Sequence, residues 1–174
     1  SIAKIAGIKL CEAYRKQHKV DFISVNPCNL YGPGDKVHPL KGHVMSCLIY
    51  KFWKAKRENL PMVECFGDGS PKREFLYVDD LADASLYLMN KDTSETDTLI
   101  NIGAGTEISI KEIAELISDV VEYDGEIHWD TSKPNGALRR ILDVSKVNAL
   151  GWEAKTSLIE GIKKVICDLD ERYG

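Results

Sequence analysis

Residues 20–35 read Val20-Asp21-Phe22-Ile23-Ser24-Val25-Asn26-Pro27-Cys28-Asn29-Leu30-Tyr31-Gly32-Pro33-Gly34-Asp35, and the fold turns on them. The β-branched and aromatic residues of 20–25 predict a strand. Asn26-Pro27 closes it, and residues 31–35 have the composition of a turn or loop. Helical patterns lie on both sides, so the strand belongs to an α/β arrangement. The segment after it then sits at the carboxyl edge of a parallel sheet, where open α/β sheets hold ligands. A Pro, a small residue and an Asn there can offer backbone groups and one amide to a flat ring. Gly32-Pro33-Gly34 taken alone reads as a plain strand-to-loop turn.

Before this stretch, Ile2, Ile5, Ala6, Leu10 and Ala13 recur at helical spacing over residues 2–16. Ile8 and Cys11 add a second apolar side, which predicts a helix buried on two sides. No cap or lead-in precedes Ile2, so the helix is expected to be entered partway along. After the stretch, residues 44–56 predict a helix with Val44, Leu48, Ile49 and Phe52 inward. Strands are expected at 62–66, 73–78, 98–102 and 126–129. Asp79 and Asp80 open a helix through Met89. Ser109 with Glu112, and Ser157 with Glu160, have capping-box spacing for two further helices. Asp143 is expected to cap a short helix ending before Gly151.

Composition narrows the function classes. The chain of 174 residues is 44% hydrophobic and 29% charged, values of a folded globular protein, and its formal net charge is −4. Basic residues are scattered apart from residues 51–57, which read as a solvated helix face, so no nucleic-acid partner is expected. No apolar run is long enough to cross a bilayer and no secretory leader is evident, so no membrane partner is expected. The five Cys residues are odd in number and widely spaced, which fits a reduced, cytoplasmic protein. Cys11, Cys47 and Cys167 are expected to be core thiols. His18, His38, His43 and His128 show no metal-ligand spacing, so no metal is expected.

Three motifs carry the chemistry: Lys4 in Ile2-Ala3-Lys4-Ile5-Ala6-Gly7, the Pro-x-Asn-Leu-Tyr-Gly-Pro run at 27–33, and Ser70-Pro71-Lys72-Arg73-Glu74-Phe75-Leu76-Tyr77-Val78-Asp79-Asp80. Together they resemble the extended short-chain dehydrogenase/reductase family over nearly the whole chain. The resemblance implies the end of a Rossmann parallel sheet in residues 1–34. It implies a smaller mixed α/β substrate-binding domain in residues 35–174, with segments near 75–103 returning to the Rossmann sheet. It implies NADP(H) as cofactor and a GDP-sugar as substrate. The activity implied is epimerisation and reduction of GDP-4-keto-6-deoxymannose to GDP-L-fucose, by a homodimer joined through the first helix. Protons beside a ketone become acidic when its carbonyl is polarised, so an acid and a base in the site can invert those centres before hydride arrives.

The resemblance also implies roles by position. Lys4 matches the Lys of a Tyr-x-x-x-Lys pair, which binds the cofactor ribose and lowers the pKa of the Tyr. That places the Tyr just before Ser1, and the family's catalytic Cys and Gly-rich loop further upstream. The chain alone is therefore expected to be inactive. His43 matches the acid/base His and also lies at the cofactor. Pro27, Cys28, Asn29 and Leu30 match the nicotinamide-contacting segment, with Cys28 in place of the usual Thr. Asn29, Lys51, Phe66, Arg73, Asn135 and Arg140 match substrate-side positions. Arg73 is the diphosphate ligand among them, because a guanidinium bonds phosphate oxygens as a fork. Lys51, Phe66 and Asn135 stand where relatives often carry Arg, Trp and Asp. Those departures leave open a reductase or epimerase of another GDP-keto-sugar, such as a deoxyheptose. A non-catalytic sugar-nucleotide-binding or dimerisation module is the remaining alternative.

Overall fold

The computed structural model describes residues 2–37, 42–92 and 97–174. His38 lies outside them. In chain order the elements are α1 (Ile2–His18), β1 (Ser24–Pro27), β2 (Asn29–Tyr31), α2 (Val44–Arg57), β3 (Met62–Phe66), β4 (Lys72–Arg73), β5 (Phe75–Tyr77), α3 (Val78–Met89), β6 (Leu99–Ile102), β7 (Ile108–Ser109), α4 (Ile110–Val120), β8 (Glu126–Asp130), β9 (Arg139–Arg140), α5 (Ser145–Ala149) and α6 (Leu158–Tyr173).

β1 and β2 are nearly one strand, and it changes partner at Cys28. Ser24 to Pro27 pair in parallel with Leu99 to Ile102 of β6. The Cys28 N–H still reaches Ile102 O, at 2.9 Å. From Asn29 to Tyr31 the partner is β5, again parallel. The sequence therefore placed the strand too early: residues 20–23 are outside it, while 29–31, beyond its expected end and including Tyr31 expected as loop, are inside. Pro27 is tolerated as the last residue of its ladder, where a missing N–H matters least.

The side chains of the β2–β5 pair point alternately into two cores. Tyr31, Phe75 and Tyr77 pack with α2, α4 and α6 around Phe52, Ile113 and Ile162. Leu30 and Leu76 pack with α3, α5 and β6 around Leu88, Ile100 and Trp152. The expected strand over 73–78 is interrupted at Glu74 and ends at Tyr77, since Val78 already starts α3.

Helix starts follow their capping residues. Ser109 Oγ accepts the Glu112 N–H at 3.1 Å, and Glu112 Oε2 accepts the Ser109 N–H at 2.8 Å. At α6 only half of the box forms: Ser157 Oγ accepts the Glu160 N–H at 3.2 Å. Glu160 turns to Lys164 instead. Asp143 stands two residues before the start of α5, where Val144 is the cap, and accepts the Ser145 N–H at 2.9 Å.

Two expectations of burial are corrected. α1 has no buried residue at all, and Ile2 is 81% exposed, with Ile5 and Leu10 each at 58%. Its apolar sides meet solvent because the elements of this chain pack elsewhere. Among the expected core thiols, Cys167 is exposed and Cys11 and Cys47 are half-buried, while Cys65 is the fully buried one. No helix among the described residues is long and apolar enough to cross a membrane.

Candidate active site

The change of partner at Cys28 opens a gap on each side of residues 26–29. One side is a cavity of about 580 Å³ lined by Lys4, Pro27, Cys28, Asn29, Leu30 and His43, with Asp35 and Phe75 among its other walls. Three separate elements therefore deliver to one space the residues expected at the cofactor: the first turn of α1, the β1–β2 strand and the start of α2. The other side is a cleft of about 620 Å³, lined by residues 26–29 and by Arg139, Arg140, Ile141 and Leu142.

Within the first cavity the wall at 27–30 is half-buried, whereas Lys4 and His43 are exposed. This is an ammonium and an imidazole at the rim of a flat, mostly apolar wall. His43 precedes α2 with an extended backbone, and its side chain makes no capping bond to the helix. Its ring nitrogens are thus not spent on the helix end. The helix start is served from across the cavity by Asp35, whose carboxylate accepts the hydroxyl of Ser46 and the N–H of Lys36. An acid near the first turn suits the partial positive charge there.

Cys28 is not a nucleophile in this setting. Burial first, and the charge of Glu74 second, push its thiol up to about 12. A thiol held protonated is unreactive. Asn29 is partly committed to structure, since its Nδ2 donates to Glu74 O at 2.8 Å.

The remaining expected residues form a strip outside the cavity. β4 and β9 pair in parallel, so Lys72 aligns with Arg139 and Arg73 with Arg140. Glu107 takes Arg139 Nε at 2.6 Å and Lys72 Nζ at 3.4 Å. Arg73 and Arg140 have no such carboxylate among the described residues; Arg73 Nη1 donates to Lys72 O at 2.7 Å. Partial burial first, and then the neighbouring Arg140, hold the Arg73 guanidinium below its ordinary pKa. Two adjacent cations without an acid between them make a place for an anion with several oxygens.

Further along the strip, Lys51 Nζ donates to Glu64 O at 2.8 Å and lies 4.8 Å from the ring centre of Phe66. Asn135 Oδ1 accepts the Asp68 N–H at 2.9 Å, beside Gly67, whose φ of 76° a side chain would resist. Asn135 thus holds a turn, so its side chain is less free for a ligand than its position implied. Lys51 lines a separate groove with Tyr50 and Met62 rather than the main cavity. Among the described residues no cluster of three or more His, Cys, Asp or Glu side chains is placed to hold a metal ion.

One group at the site was not found from sequence. Glu74 is fully buried between the cavity and the cleft. In a linear reading it is one more charge in a charged stretch. Its neighbours Arg73 and Phe75 are recognisable by chemistry, but burial of a carboxylate leaves no mark in the sequence.

Comparison with known proteins places this geometry. The sequence profile of the NAD dependent epimerase/dehydratase family matches residues 1–103. A relative described as probable GDP-L-fucose synthase 1, from Oryza sativa subsp. japonica, is 49% identical over 162 residues. The match covers 93% of this chain and 49% of the relative. A crystal structure of a GDP-6-OMe-4-keto-L-xylo-heptose reductase from C. jejuni superposes with a TM-score of 0.85 at 33% identity, covering 99% of this chain and 60% of that one. A GDP-L-fucose synthetase from Naegleria fowleri bound to NADP superposes with a TM-score of 0.83 at 28% identity, covering 95% and 53% respectively. The chain spans about half the length of the curated relatives it matches.

Proposed function

The chain belongs to the NAD dependent epimerase/dehydratase family, and from that premise we propose that it supplies the substrate-binding side of an NADP(H)-dependent enzyme converting GDP-4-keto-6-deoxymannose to GDP-L-fucose. The observation that carries the reading is the joining of two kinds of surface at one strand. Residues 26–29 face the cavity that holds Lys4 and His43 on one side, and the cleft that holds Arg140 on the other.

In this reading the wall at 27–30 receives the nicotinamide, and Lys4 donates to the hydroxyls of its ribose. The cofactor, when bound, supplies hydride for the sugar carbonyl. His43 exchanges a proton with a carbon beside that carbonyl, and its exposure at the rim lets it recover the proton from water. Arg73 and Arg140 hold the diphosphate between them, with Lys51 and Phe66 toward the base. Phe66 is 43% exposed, so one ring face is open for stacking.

Separate titrations of GDP and NADPH into the chain, followed by calorimetry, test the binding roles. GDP binding is expected, and Arg73→Ala should weaken it about ten-fold, the scale of one charge-assisted contact. Failure of GDP to bind the unaltered chain would refute the proposal. The likeness to a GDP-heptose reductase supports a second reading, in which the sugar is a GDP-keto-heptose. Product analysis with both keto-sugars separates the two.

Further parts of the reading are proposed on narrower support. Residues 1–34 form the end of the cofactor domain and 35–174 mainly the substrate domain, with 75–103 returning to the sheet; pairing of β5 and β6 with β2 and β1 supports this division. The exposed apolar side of α1 favours a homodimer through that helix. Five free thiols favour the cytoplasm. Light scattering of the purified protein checks the dimer.

A further inference from the structure

Glu74 occupies the one-residue break between β4 and β5 with no exposed surface. A buried carboxylate is costly unless its oxygens are matched by donors. Here they are matched by backbone from two distant segments. Oε1 accepts the Gly105 N–H at 2.8 Å, and Oε2 accepts the Leu142 N–H at 3.0 Å. Its own backbone carbonyl accepts the Asn29 amide at 2.8 Å. The fit is close: a Cβ on Gly103 would collide with the Glu74 carboxylate, so that position requires glycine. Three walls therefore meet at one residue: its backbone carbonyl holds the strand at 29, and its carboxylate holds the loop after β6 and the segment that carries Arg140.

We infer that Glu74 is a positioning residue for anion recognition, holding residues 139–142 so that Arg140 stands in register with Arg73 and the pair can grip a diphosphate. An apolar side chain would fill the same volume, but it would not fix the Leu142 amide. The neighbouring residue Asp143 has its own anchor, since its carbonyl accepts Asn101 Nδ2 at 3.0 Å. The segment therefore stays docked when Glu74 is altered, and the register at Arg140 is what changes. The inference rests on the GDP-sugar reading above.

Glu74→Gln tests it. Glutamine keeps the shape but turns one acceptor into a donor facing an N–H. GDP affinity should fall about ten-fold, as for loss of one charge-assisted contact. Arg140→Ala should cost a similar factor, and the double variant should bind little worse than Arg140→Ala alone. A purely structural Glu74 would give multiplied losses in that cycle, and this result, or unchanged GDP affinity in Glu74→Gln, overturns the inference. If the variant does not fold, hydrogen exchange of the unaltered chain decides. Saturating GDP should slow the Leu142 and Gly105 amides together, because one carboxylate holds both. Slowing of Leu142 alone overturns the inference. A chain that does not bind GDP at all refutes the parent reading, an outcome distinct from a chain that binds GDP while Glu74→Gln has no effect.

Discussion

At the scale of single residues, environment sets reactivity more than residue type does. Cys28 lies in the wall of a cavity, yet desolvation and the nearby Glu74 charge push its thiol up to about 12. Cys65, buried on the inward side of β3, is pushed up to about 11 by burial first. At pH 8, iodoacetamide is therefore expected to label exposed Cys167 quickly and to leave Cys28 and Cys65 almost unlabelled; peptide mass spectrometry reads the order. The stability consequence has a definite sign. A raised thiol pKa favours the folded state fully below the ordinary value of 9.0, and the advantage is lost as pH rises toward 12. Between those limits the chain should lose stability with pH, and Cys28→Ala should flatten that slope in chemical denaturation. The sequence pointed to Cys28 by its place in the motif. The acid that helps to raise its pKa, Glu74, lies 46 positions away by number and could not be paired with it before the fold was known.

At the scale of elements, the capping boxes give a graded test. Ser109→Ala removes one half of a reciprocal pair and should cost about 1 kcal/mol in urea denaturation. Ser157→Ala removes a single bond and should cost nearer 0.5 kcal/mol, roughly the lower limit for such caps. Equal losses would mean that reciprocity adds nothing here. Phe52, fully buried on α2, should cost about 3–5 kcal/mol when cut to Ala. Elements with a strong apolar period were legible: the expected strand at 62–66 matches β3, and the helix at 44–56 matches α2 to within a residue. β9 was not, because two exposed arginines carry no hydrophobic pattern. Yet its pairing with β4 is what brings Arg140 beside Arg73. The basic strip of Arg73 and Arg140 was therefore legible as residue types and illegible as a surface. α1 was read correctly as a helix and wrongly as buried, since periodicity reports an apolar side and not what covers it.

At the scale of the molecule, the two cores share the β2–β5 wall, and each has its own indole reporter. Trp53 belongs to one core and Trp152 to the other. If the shared wall couples them, single-indole variants followed by fluorescence should unfold along the same urea curve. Leu76→Ala should shift both curves together, by about 2–5 kcal/mol. Separate midpoints would show two independent units. The α/β class was legible because strand and helix patterns alternate. The sharing of one strand pair between two cores was not, because each of its strands is only three residues long.

The same strand that changes partner at Cys28 also sets the order of events during synthesis. The partners found for it among the described residues lie at Phe75–Tyr77 and Leu99–Ile102, so both leave the ribosome after residues 24–31 do. Most of the chain up to Ile102 must be outside the exit tunnel before this strand can settle. Until then it is a β-prone segment without these two partners, and its exposure to chaperones and to aggregation should fall once Ile102 has emerged.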